Sequence, residues 1–182
     1  MQTKEEVIRE FREELYQKRG QGWFRIATGS MRPIIEPGEK VLVRKITLAA
    51  AKLGDIVLYR SGEDYITHRL VGFPTREGKI FYLAKGDAGS VPEELAPDAV
   101  CGKVIVIEKY GGRKLRLDSF RGRIVNGYLG WKNCRFCRLG ATVDLYKERM
   151  RPNRAFPFLR FVYRVVRLPI TTLQAVFFKI FL

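Results

Sequence analysis

The chain has 182 residues, of which 46% are hydrophobic types and 29% charged. That mixture suits a folded domain with a sizeable core and argues against disorder throughout. Thirty-four Lys+Arg against 19 Asp+Glu give a net charge of +15, which calls for an anionic partner, and three cysteines exclude a fully paired disulfide scaffold.

Residues 1–22 are expected to form an amphipathic helix. Thr3 and Glu6 make a capping box, Val7, Ile8, Phe11 and Leu15 fall on one side, and Gly20 is a fitting stop. The first twenty residues hold five glutamates, which leaves no apolar run of the kind an export signal needs. No run of about 18 uncharged apolar residues occurs, so no ordinary membrane span is expected. Cytoplasmic residence follows as an expectation.

Residues 23–110 read as strands. Lys40–Arg44, Asp55–Tyr59, Tyr65–Val71, Lys79–Leu83 and Lys103–Ile107 are short and rich in β-branched and aromatic types. Turn signals such as Pro37-Gly38, Gly54-Asp55, Ser61-Gly62 and Glu77-Gly78 separate them. Arg113–Leu117 is a further candidate. The spacing predicts a mainly β (α+β) fold, an antiparallel sheet folded over or closed like a barrel.

Residues 111–182 read as a basic, mostly helical extension. Residues 1–110 carry a net +2 and residues 111–182 a net +13, a break placed near Gly111-Gly112. Arg121–Trp131 and Ala141–Met150 are candidate helices. The stretch 155–182 is apolar but interrupted by Arg160, Arg164, Arg167, Pro169 and Lys179. With Phe156, Phe158, Phe161 and Tyr163 between the arginines, its composition suits an anionic membrane surface. Nucleic acid is the weaker expectation, because no recognised binding motif is present. Packing of this stretch on the core or on a partner is the plain structural alternative.

His68 is the chain's one histidine and lies in a strand-like run. Imidazole is the side chain best suited to proton transfer near neutral pH. A nucleophile to match it is Ser30, in Ala27-Thr28-Gly29-Ser30-Met31-Arg32-Pro33. Gly29 offers a sharp turn that exposes the hydroxyl. Thr28 and the Ser30 N–H can together hold an oxyanion. Cys134-Arg135-Phe136-Cys137 is a lone pair of thiols, short of the four ligands of a structural zinc site.

These residues fall into an arrangement that resembles the type I signal peptidases, in particular their serine–histidine branch. Gly29-Ser30-Met31-Arg32-Pro33 is similar to the family's nucleophile box, and Pro37–Val43 to the strand after it. Leu53–Tyr59 resembles the Gly-Asp-Ile-Val block, and Ile66–Val71 the segment that carries the general base. Leu83–Ala88 resembles the Lys-Gly-Asp block, and Val100–Val104 the closing strand. The resemblance covers residues 23–108 and implies a serine endopeptidase acting on a leader or signal segment of a precursor peptide or protein, without a cofactor. Ser30 would be nucleophile and His68 its base. The third, orienting carboxylate is open between Asp87 and Glu93. The family usually carries a membrane span ahead of the nucleophile; the charged helix expected here implies a soluble or a peripherally attached member, the latter at the inner membrane face. The alternative is a non-catalytic β-rich module, attached by its basic end to an anionic membrane or nucleic acid. Self-cleaving repressors share the catalytic fold, but the Ala-Gly site they need before the nucleophile is missing.

Overall fold

The computed structural model describes residues 14–47, 50–62, 64–89 and 91–149, with side chains left out at 136 and 138–149. The apolar positions Val7, Ile8 and Phe11 and the basic stretch 155–182 lie outside the described residues. The described architecture is mainly antiparallel sheet. Its strands are β1 (Gln21–Arg25), β2 (Lys40–Arg44), β3 (Ile56–Ser61), β4 (Asp64–Gly72), β5 (Thr75–Arg76), β6 (Lys79–Ile80), β7 (Tyr82–Lys85), β8 (Glu93–Leu95), β9 (Val100–Glu108) and β10 (Lys114–Arg116).

Eight of them form one sheet in the order β1-β2-β9-β3-β4-β7-β8, with β10 also on β9. β5 and β6 make a separate two-stranded ribbon. The expected strand Lys79–Leu83 is therefore divided: Phe81 separates β6 from β7, and its N–H turns back to donate to Pro74 O at 2.8 Å. β9 is the spine. It pairs β2 along one side, while β3 and β10 share the other.

Alternation puts Val57, Tyr59, Leu70, Tyr82, Ala84 and Leu95 in one buried cluster. Residues 14–19 are helical. Tyr16 anchors them, donating to Cys101 O at 2.8 Å and lying edge-on to Phe24. Gly102 is required there, because a Cβ would sit 2.4 Å from the Tyr16 oxygen.

The two helices expected after residue 120 are one, Phe120–Arg149. Ser119 caps it: its Oγ accepts from Gly122 N at 3.1 Å. Val125 and Leu129 are fully buried. Gly130 meets Gly54 so closely that a Cβ on it would lie 2.8 Å from Gly54 Cα. The chain divides into compact units at Cys134/Arg135, so β10 and the first half of the helix belong with the sheet. Among the described residues, no helix is long and apolar enough to cross a membrane.

Candidate active site

Ser30 lies in the turns that connect β1 to β2. Met31, Ile34 and Ile35 are fully buried and pin this connection to the core. The Ile34 and Ile35 N–H groups both donate to Met31 O at 3.1 Å. A partly buried ion pair holds the far end: Lys109 Nζ lies 3.1 Å from Glu39 Oε2 and donates to Ile34 O at 2.7 Å. Gly29 contributes room rather than a left-handed turn. Its φ is not positive, and a Cβ there would lie 3.2 Å from Arg32 Nε.

His68 lies opposite Val57 across the β3–β4 ladder, and Tyr59 lies opposite Ile66. Tyr59 and His68 are thus diagonal neighbours on one face, the spacing from which large side chains reach each other. Ala84 pairs Glu93 between β7 and β8, bringing that carboxylate alongside. Tyr59 Oη donates to Glu93 Oε2 at 2.7 Å and lies 3.0 Å from His68 Nδ1. Glu93 Oε1 is 3.6 Å from the same nitrogen.

The other ring nitrogen lies beside Gly86. A methyl group at Gly86 would lie 3.3 Å from His68 Nε2, 3.2 Å from Ser30 Cβ and 2.7 Å from Ser30 O. Serine and histidine, 38 positions apart in sequence, therefore border the same glycine. Ala88 N donates to Ser30 O at 2.9 Å, which fastens the two segments together. The Ser30 hydroxyl is 3.3 Å from Thr28 Oγ1, the position expected for a second oxyanion donor.

The two candidate carboxylates are in different surroundings. Asp87 is engaged by Arg69, whose Nε and Nη2 each donate to it at 2.7 Å. Asn133 Nδ2 donates to it as well, at 2.7 Å. Glu93 is the one joined to the His68 ring through a hydrogen-bonded side chain.

Arg69 and His68 are consecutive on a strand and so point to opposite faces. Arg69 is fully buried, directly across from Lys85 on β7. Its Nη1 donates to Gly54 O at 2.7 Å and to the Asn126 side chain. Lys85 Nζ donates to Asn133 Oδ1 at 2.8 Å. Two buried cations, one carboxylate and two helix asparagines thus back the segment that carries Gly86.

Burial lowers the His68 pKa below 6.5; Glu93 and Asp87 pull it back up, and Lys85 presses it down. Burial, and then the bond to Glu93, push the Tyr59 hydroxyl far above its usual range, so it keeps its proton. Among the described residues, no cluster of three or more His, Cys, Asp or Glu can hold a metal ion. Cys101, Cys134 and Cys137 are not in disulfides.

Tyr59, Asn126 and Asn133 were not singled out by sequence. For Tyr59 a signal existed: strand alternation places it on the His68 face once β3 and β4 are paired as a hairpin. The asparagines had none. No family model matches the chain, and no curated protein matches it.

Proposed function

We propose that the protein is a serine endopeptidase of the type I signal-peptidase kind, cleaving a leader or signal segment from a precursor. The observation that carries this is that Ser30 Cβ and His68 Nε2 border the same glycine, Gly86. The hydroxyl needs a base that is neutral at working pH, and a buried histidine with a lowered pKa is one.

In the proposed reaction, substrate binding turns the Ser30 side chain from Thr28 toward Nε2. Apo sites commonly show such catalytic contacts loosened. Oγ attacks the scissile carbonyl carbon and its proton passes to Nε2. The Ser30 N–H and the Thr28 hydroxyl receive the oxyanion. The tetrahedral intermediate collapses, and the leaving amine takes the proton from Nε2. A water, deprotonated by the same nitrogen, then hydrolyses the Ser30 ester. Glu93 is the proposed third member, facing the imidazolium as it forms. Asp87 is assigned instead to holding the Lys85-Gly86-Asp87 segment in place.

The substrate would lie extended along a strand edge. Small residues beside the scissile bond are what the family resemblance implies. An anionic membrane surface is the partner we infer for the basic residues after 111.

Purified chain incubated with peptides that carry small residues before the cut tests the assignment by mass spectrometry. Ser30→Ala and His68→Ala should each lower kcat/KM by at least about a thousandfold. Full cleavage by either purified variant overturns it.

A further inference from the structure

We propose that Tyr59 is a positioning residue that fixes the tautomer of His68, and thereby decides which ring nitrogen is free to receive the Ser30 proton. Its catalytic consequence rests on the protease reading above; the tautomer itself does not.

The argument is a count of protons. A tyrosine hydroxyl has one proton to give, an ionised carboxylate has none, and a neutral imidazole has one N–H on one of two nitrogens. Tyr59 Oη lies 2.7 Å from Glu93 Oε2, so the phenol proton lies in that bond. Bonds to an ionised acceptor are about twice as strong as neutral ones, so the carboxylate wins the proton over the ring. The contact at 3.0 Å between Oη and Nδ1 then has only one arrangement left: Nδ1–H donates to a phenol lone pair. Nε2 keeps its lone pair, and Nε2 is the ring nitrogen beside Gly86, the glycine that Ser30 also borders.

The opposite arrangement is costly twice over. If the phenol donated to Nδ1, Glu93 would lose its donor and Nε2 would carry the proton. The ring could then take nothing from serine. Glu93 cannot fix the tautomer directly, because its Oε1 lies 3.6 Å from Nδ1, beyond a hydrogen bond. Tyrosine spans that gap. Its ring is only 1% exposed, packed with Val57, Leu70, Tyr82, Ala84 and Leu95, so the hydroxyl is held at one place. When His68 becomes imidazolium the Nδ1–H···Oη bond survives. The new charge then faces Glu93 on β8 and Asp87, with Lys85 opposing.

The chain's single histidine makes the test clean. The full chain, labelled with 15N in the imidazole, is measured by NMR at about pH 8, above the ordinary histidine range. The wild-type ring should show a protonated Nδ1 and an unprotonated Nε2. Tyr59→Phe keeps the ring and removes the oxygen. It should shift the ring toward Nε2–H, the form free histidine favours, and lower kcat about a hundredfold with little change in KM. A wild-type ring protonated at Nε2 overturns the inference, whether or not the variant folds. So does a Tyr59→Phe ring that stays wholly Nδ1–H. An Nδ1–H ring lost in Tyr59→Phe, in a protein that cleaves no peptide, upholds the role of Tyr59 and overturns the protease reading.

Discussion

Gly86 is where the site is tightest, and the reason is local. A Cβ there would lie 2.7 Å from Ser30 O, a backbone atom already held by Ala88 N. Nothing flexible can give way, so Gly86→Ala must displace either the serine turn or its own segment. We expect a loss of about 1–3 kcal/mol in stability. Cleavage should fall about a hundredfold, the scale of a misplacement near 1 Å. Gly89→Ala is the control, since its nearest atom would be Gly86 O at an ordinary 3.5 Å. Thermal melts and kcat/KM of the two variants decide it; equal effects would mean the contact at Gly86 does not matter. The pH profile belongs to the same scale. His68 acts as base in its neutral form, and burial lowers its pKa, so the acid limb of kcat/KM should lie below 6.5. Glu93 opposes that lowering. Glu93→Gln removes the charge and should move the limb to still lower pH, with a smaller kcat. A limb that moves upward would show that Glu93 does not act on the ring.

Among elements, the helix Phe120–Arg149 has the least expected part. Asn133 is 1% exposed and serves three groups: it donates to Asp87 and Leu129 O, and accepts from Lys85. Asn133→Ala removes one hydrogen bond each from a buried lysine and a buried carboxylate. The expected cost is about 2–3 kcal/mol, read from denaturant midpoints. Activity should fall with it, because Lys85 and Asp87 flank Gly86. Unchanged stability would mean the helix does not brace the site. Arg69→Lys should be similarly harmful: a lysine cannot give the paired donors that Asp87 receives from the guanidinium. Much of this architecture was legible beforehand. β2 matches its expected span, because KVLVR is short and rich in β-branched residues and turns bound it. β1 (QGWFR) and β8 (EEL) were not legible, since both are edge strands with no run of β-branched residues, and their conformation comes from pairing with β2 and β7. Ser30 and His68 stood out by chemical type. Tyr59 and Asn133 look like ordinary core and helix residues until distant strands and the helix are brought against them.

For the whole molecule, the charge step and the structural step fall at different places. Net charge rises after Gly111-Gly112, yet the compact unit that holds the site runs to Cys134. The reason is physical: Val125, Leu129 and Asn133 are buried on the helix that follows the step, beside basic side chains that remain at the surface. Charge marks what faces solvent, whereas the fold is closed by what is buried. A chain ending at Gly112 lacks β10, the Asn126 and Asn133 contacts and the apolar cover over Gly54. It should fail to fold cooperatively and should cleave nothing. A chain ending at Arg138 keeps every residue of the compact unit that holds the site, and should cleave a soluble peptide with kcat/KM within about threefold of the full chain. That second truncation also removes eight Lys+Arg and two Asp+Glu. If the basic end serves an anionic membrane, it should bind anionic vesicles more weakly than the full chain. The difference should shrink as salt rises, because the Debye length falls from about 10 Å at 0.1 M to about 3 Å at 1 M. Equal vesicle binding by both chains would remove the membrane role from residues 139–182, while peptide cleavage reports separately on the site.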